Sequence, residues 1–124
     1  MKKDLNKLSF QELKKEIETL DKKKESVGKT VIKDSPLVIG ENYLVRTVTM
    51  IYTGKLVKVY DKVLVFVETA WIPETARWMQ TVENGEFNEV EPYPKDSEVI
   101  INREAILDMT KVNWKLPREQ KWLT

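Results

Sequence analysis

Thr53-Gly54-Lys55-Leu56-Val57-Lys58-Val59-Tyr60-Asp61-Lys62-Val63-Leu64-Val65-Phe66-Val67 decides how this chain is read. Lys55 to Tyr60 alternates, with Lys55, Val57 and Val59 against Leu56, Lys58 and Tyr60, so the period is that of a strand although neither face is wholly apolar. Asp61-Lys62 makes a tight connection, and Val63 to Ala70 is the most hydrophobic strand. Working upstream, Tyr43 to Tyr52 carries no Gly or Pro and is rich in Val, Thr, Ile and Tyr, which predicts a further strand ended by a turn at Thr53-Gly54. Working downstream, residues 98–112 continue the strands, with Glu98 to Met109 reading as two of them around a turn at Asn102-Arg103-Glu104.

The flanks have a different chemistry. Ser9 and Glu12 have capping-box spacing, Leu8 and Leu13 staple spacing, and Phe10, Leu13, Ile17 and Leu20 draw one apolar stripe. Together they predict an amphipathic helix over 9–24 that must lie on something: its own sheet or a neighbouring subunit. Residues 71–97 read as an acidic insertion. Pro73 suits a first helical position, Thr75, Trp78, Met79 and Val82 follow at helical spacing, and Asn84-Gly85 is a turn signal. Pro92 and Pro94 then impose an extended connection. Residues 113–124 form a C-terminal arm, polar apart from Trp114, Leu116 and Trp122, and suited to reach a neighbour.

Composition narrows the chemistry. The 124 residues fit one domain spanning 1–124, and the chain has no His and no Cys. That removes disulfides, thiolate nucleophiles, imidazole acid–base catalysis and the usual zinc sites. The net charge of +1 hides a spread from +3 over residues 1–34 to −4 over residues 72–97. Such a surface is not built for non-specific duplex binding, which needs a clear basic excess. No apolar run is long enough to cross a bilayer, the longest being Val63 to Val67. A soluble protein of the cytoplasm is expected, or of the host cytoplasm if phage-encoded.

The order of these pieces resembles the Sm-like small β-barrel of Sm, Lsm and Hfq-type proteins, and SH3-like barrels match the pattern about as well. Thr53 to Val67 looks like the centre of the family's first motif, and Ile100-Ile101-Asn102-Arg103-Glu104-Ala105-Ile106-Leu107 like its second. The resemblance implies a mainly β (α+β) fold: a small, strongly bent antiparallel barrel with an N-terminal helix and an inserted short helix. It departs from the family's RNA-binding pattern, with Asp61 followed by Lys62 rather than Asn, and Asn102-Arg103-Glu104 in place of the basic pair. Over its whole length the chain also looks like small uncharacterised proteins of tailed phages and prophages. The stretches that suggest this are Val65 to Arg77 and Leu116 to Lys121.

The candidate binding residues are aromatic and basic. Trp71, Arg77 and Trp78 lie close in sequence and, on the barrel reading, near Tyr60. A Trp plane stacks on a base and an Arg fork pairs with a phosphate, while core or interface packing is the competing role. Arg46 sits inside a strand, where it needs either a salt bridge or an anionic ligand. Lys58 and Tyr60 share a strand face, and Arg103 occupies the basic position of the second motif. Glu83, Glu86, Glu89, Glu91 and Asp96 lack calcium-loop spacing and read as a solvated acidic loop.

The expected function is therefore that of a non-enzymatic, homo-oligomeric small barrel, a ring or another homo-oligomer. Its ligand would be a nucleotide or single-stranded RNA, with host interaction or counter-defence as the role. The alternative is a phage structural or protein-interaction component whose partner is a phage or host protein. A carboxylate-based hydrolase is the minor one. No cofactor, metal or membrane contact is expected.

Overall fold

A computed structural model describes residues 28–122, and the fold is carried by the unit that begins at Val31. The helix expected over 9–24 lies outside the described residues. Two short strands, β1 (Thr30–Val31) and β2 (Val38–Ile39), come first. They are followed by β3 (Asn42–Thr47), β4 (Ile51–Val59), β5 (Val63–Thr75), helix α1 (Trp78–Asn84), β6 (Phe87–Pro92), β7 (Val99–Asn102), a 3-10 turn (Arg103–Ala105) and β8 (Ile106–Val112).

The main sheet is antiparallel and runs in the order β6-β5-β4-β3-β8, with β7 added to β5. It is open. This corrects the Sm-like or SH3-like barrel expectation, because no pairing among the described strands joins β8 to β6 or β7 and closes the sheet. The reason lies at the second motif. The 3-10 turn carries the chain from β7 to β8, yet β7 pairs with β5 (Val63↔Asn102, Phe66↔Val99) and β8 with β3 (Asn42↔Val112, Arg46↔Asp108).

The long strand β5 serves two partners in succession: Val63 to Phe66 bind β7, while Ala70 to Thr75 bind β6. Between them Glu68 takes a left-handed φ of 51°, and the β4 register shifts between Thr53↔Ala70 and Lys55↔Val67. Two residues of β5 thus face one of β4, the geometry of a bulge that bends a strand. Gly54 is the residue opposite. A Cβ there would stand 3.0 Å from Thr69 Oγ1 and 3.1 Å from the Phe66 Cβ. The glycine answers close approach inside β4, so the turn expected at Thr53-Gly54 is absent.

The chain reverses earlier, at Val48–Met50, without Gly or Pro. Thr47 does the work: its N–H donates to the Met50 carbonyl at 2.8 Å, its hydroxyl donates to the same oxygen at 2.8 Å, and it accepts from Met50 N–H at 3.0 Å. The strand expected over 43–52 is accordingly two strands and a tight turn. Pro73 lies in β5 rather than opening a helix. It sits where the β5–β6 register shifts between Trp71↔Glu91 and Glu74↔Glu89, a place where a missing N–H is tolerated. The short helix comes five residues later, at Trp78–Asn84, as its spacing predicts.

Both faces of the sheet are covered. One core gathers Tyr43, Val45, Leu56, Leu64, Phe66 and Ile101. The other gathers Leu44, Ala70, Ile72, Phe87, Val90 and Val112, with Trp78, Val82 and Trp114 packed against it. Helix α1 ends on Gly85, left-handed at φ 69°, whose N–H donates to the Thr81 carbonyl at 3.0 Å. A Cβ at Gly85 would stand 2.6 Å from Trp114 Cδ2, so the indole lies directly against the glycine.

The C-terminal arm folds onto its own chain rather than projecting. Leu116 is buried, Val90 and Lys121 exchange backbone hydrogen bonds at 2.8 and 2.9 Å, and Arg118 donates to the carbonyls of Thr69 (3.1 Å) and Tyr93 (3.0 Å). Only Trp122, of the arm's three large apolar residues in the expectation, is exposed.

Candidate functional site

The seven candidate residues separate into two groups. The first is built around Arg46 on β3. Register places it opposite Asp108 of β8, and the guanidinium donates through Nε to Asp108 Oδ1 at 2.9 Å and through Nη2 to Oδ2. This is the two-pronged Arg–carboxylate geometry. The guanidinium also lies over the Trp78 ring, 5.0 Å from its centroid, in cation–π contact. The hydrogen bond from Arg46 holds the Asp108 carboxyl below its usual range, against the opposing pull of desolvation, and Asp108 in turn raises Arg46. Arg46 therefore has its anion within the chain, the salt-bridge alternative of the two foreseen. Trp78 gives one face to that cation.

Arg77 is exposed at the N-cap of α1 and caps nothing through its side chain. Trp71 is half-buried on β5, opposite Tyr52 on one side and Glu91 on the other. It does not meet Tyr60. Tyr52 stands near the start of β4, whereas Tyr60 follows its end. The barrel arrangement that brought Trp71, Arg77 and Trp78 toward Tyr60 is not formed.

The second group sits at the far tip of the β4–β5 hairpin. Tyr60 is 53% exposed just after β4, and its N–H donates to the Val63 carbonyl at 2.9 Å, closing the turn. Arg103 opens the 3-10 turn beside it: its N–H donates to the Lys62 carbonyl at 2.9 Å and its Nη1 to the Tyr60 carbonyl at 2.9 Å. Two elements distant in sequence thereby bring Tyr60, Lys62 and Arg103 to one solvent-facing edge. Lys58 joins from the β4 side but is held by Glu98 at 3.3 Å. Asn102 steadies the turn by accepting from Glu104 N–H at 3.0 Å.

Elsewhere, a cleft of about 620 Å³ lies between the C-terminal arm and the α1–β6 region, lined by Phe87, Val90, Lys115, Leu116 and Arg118 among others and by none of the seven candidates. Among the described residues no group of three or more carboxylates is placed to hold a metal, and no helix is long and apolar enough to cross a membrane.

Sequence reasoning missed the partners rather than the residues. Asp108 shares a face of β8 with Val112, as Arg46 shares a face of β3 with Leu44, so pairing those two strands on paper would have found it. Arg118 carried no local signal, since its acceptors are carbonyls far away in sequence. No family model matches the chain, and no significant match exists to a curated protein or a solved structure. With the barrel open, the Sm-like and SH3-like resemblance fails, and the resemblance to phage proteins gains nothing from these comparisons.

Proposed function

We propose that the chain is a non-enzymatic binding protein that takes a single-stranded nucleic acid at the Tyr60–Lys62–Arg103 edge. The observation that carries this reading is the hydrogen bond from Arg103 Nη1 to the Tyr60 carbonyl, which holds an exposed aromatic ring and a guanidinium on the same turn. That bond uses one of the five guanidinium donors. A base stacked on Tyr60 would bring its phosphate to Arg103 and Lys62. Asp61 and Glu104 stand close by in sequence, so the edge suits one or two phosphates rather than a long tract.

Fluorescence anisotropy with a labelled single-stranded RNA oligonucleotide tests the reading, with mononucleotides as competitors. Tyr60→Ala should cost about 1–3 kcal/mol of binding, the range for one stacked base. Arg103→Ala should weaken binding and reduce the salt dependence by about one phosphate. Trp78→Ala should leave affinity unchanged. Failure of the parent to bind any of these probes, or equal loss on Trp78→Ala, overturns the assignment.

A second reading, a protein-interaction module, is favoured by a different observation: Val48 (69% exposed), Met50 and Leu107 (65% exposed) stand out around the β3–β4 turn and the start of β8.

A further inference from the structure

Strand β8 ends the sheet: β3 pairs along one of its edges, and no described strand pairs along the other. Its outward backbone can be assigned. The bond from Thr47 N–H to the Met50 carbonyl closes the β3–β4 hairpin, so by antiparallel alternation Val45 and Tyr43 turn their backbone groups toward β4, and Leu44 and Arg46 turn theirs toward β8. Their partners Thr110 and Asp108 are thus engaged with β3, while Met109 and Lys111 aim N–H and C=O out of the sheet. An edge of this kind is a template for another strand unless something blunts it. Here the start of the edge is flanked by exposed Leu107 and Val48, and of the residues whose backbone faces outward, Leu107, Met109 and Lys111, only Lys111 is charged.

We infer that β8 pairs antiparallel with β8 of a second copy of this chain, about a twofold axis at Met109. The occupant follows from complementarity. In a twofold pair each residue faces its own mirror position, and the Met109 register sets Leu107 of each copy opposite Lys111 of the other and Asp108 opposite Thr110. No like charges meet, and the Lys111 stem covers the exposed Leu107 on both sides of the axis. Moving the axis to Lys111 would oppose two cations. Moving it to Thr110 would set Asp108 against Val112, which is buried in the core, and leave Leu107 without apolar cover. The pairing joins two open sheets into one and leaves the Arg46–Asp108 ion pair in place, because Asp108 reaches across to Arg46 on β3 and faces only Thr110 of the second copy.

Sedimentation velocity and native mass spectrometry of the full chain, up to about 200 μM, should show a dimer in reversible exchange with monomer. Met109→Pro removes an outward N–H without touching a β3 bond and should leave monomer with an unchanged far-ultraviolet spectrum. Leu107→Lys should weaken the dimer about fivefold or more through two like-charge pairs, and Leu107→Lys combined with Lys111→Glu should restore it. The combined variant is specific to this register and does not depend on how proline is tolerated. A parent that stays monomeric across the range overturns the inference. So does a dimer that is indifferent to Leu107→Lys, which would place the interface elsewhere. Neither result bears on RNA binding at Tyr60 and Arg103, which is read separately by anisotropy.

Discussion

Arg46 stands between Asp108 and Trp78: its guanidinium is hydrogen-bonded to the carboxylate and lies over the Trp78 ring, 5.0 Å from the ring centroid. One side chain thus ties β3, β8 and α1 together, and its charge is answered before any ligand arrives. The side chains of Arg46 and Asp108 remain 41% and 44% exposed, so solvent screens the pair. Its contribution should appear as a pH dependence. Asp108 is held below its usual value chiefly by the hydrogen bond from Arg46, so the stabilisation is present above the unfolded carboxylate pKa of about 3.9 and is lost as pH falls through the lower folded value. Thermal melts from neutral pH downward should show parent and Asp108→Asn separated near neutrality and converging in acid. A constant gap would mean that the carboxylate acts through packing alone. Arg46→Lys should also lower the melting temperature, since a lysine keeps the charge but not the fork.

Gly85 and Trp114 make a second joint of this kind. The indole Nε1 donates to the Val82 carbonyl at 2.9 Å, the ring meets Phe87 edge-on at 5.5 Å, and its face closes on Gly85. Gly85→Ala should cost at least about 1 kcal/mol for the left-handed backbone alone, and more because the new methyl displaces the indole. Urea melts followed by tryptophan fluorescence check this, with a red shift of the native spectrum expected alongside the lower midpoint. A variant as stable as the parent would show that the ring can slide away without loss.

The hydroxyl of Thr53, the third residue of β4, is fully buried and finds no hydrogen-bond partner. A buried unpaired polar group costs about 1–3 kcal/mol, and valine fills the same outline without it. Thr53→Val should therefore raise the urea midpoint with no change of slope. A drop in stability would reveal a partner for the hydroxyl, such as an internal water.

These joints mark the boundary of what the chain discloses before folding. Strand periodicity placed the cores of β3, β4 and β5, and the helical spacing of Trp78, Met79 and Val82 placed α1, because those signals are local. Glycine and proline were read by their usual local meanings, and here both serve tertiary ones. Gly54 makes room for Thr69 and Phe66 inside a strand, and Pro73 occupies a bulge. The turn at Val48–Met50 was hidden because a threonine side chain builds it. The open sheet was hidden for a similar reason, since two adjacent strands joined by a turn look like a pair even when each has another partner. Arg46, Tyr60 and Arg103 were identifiable as candidates from residue type alone. Which of them is already satisfied depends on Asp108, a residue 62 positions away in the chain.

Glu68 holds a left-handed backbone, φ 51°, at the bulge of β5, where an L residue with a Cβ is strained. Its carboxylate lies 3.7 Å from Lys55, a half-exposed pair worth a fraction of a kcal/mol. Strain outweighs the ion pair. Glu68→Gly should stabilise the fold by up to about 1 kcal/mol, and Glu68→Ala should not, because it keeps the Cβ and loses the pair. Denaturation midpoints of the two variants against the parent decide it. If both fall together, the carboxylate is contributing more than its exposure suggests.

The C-terminal arm yields the last test, because it is sequence that looked fit for a neighbour and instead closes the chain's own edge. Arg118 bonds the Thr69 carbonyl beside the β5 bulge and the Tyr93 carbonyl just after β6, while Leu116 is buried and Lys121 pairs with Val90. The arm therefore spans the outer side of β6, an edge that would otherwise be open to pairing. Hydrogen bonds to a charged donor are worth about 1.5–3 kcal/mol when partly buried, so Arg118→Ala should destabilise by about that amount. Hydrogen exchange should show the loss locally, at the Val90 and Lys121 amides, before the rest of the sheet opens. Truncation after Asn113 would also remove Trp114 from Gly85 and Phe87, and should expose β6 fully and promote aggregation. If instead the truncated chain stays soluble and melts as the parent does, the arm is an ornament on a sheet that needs no cover at that edge.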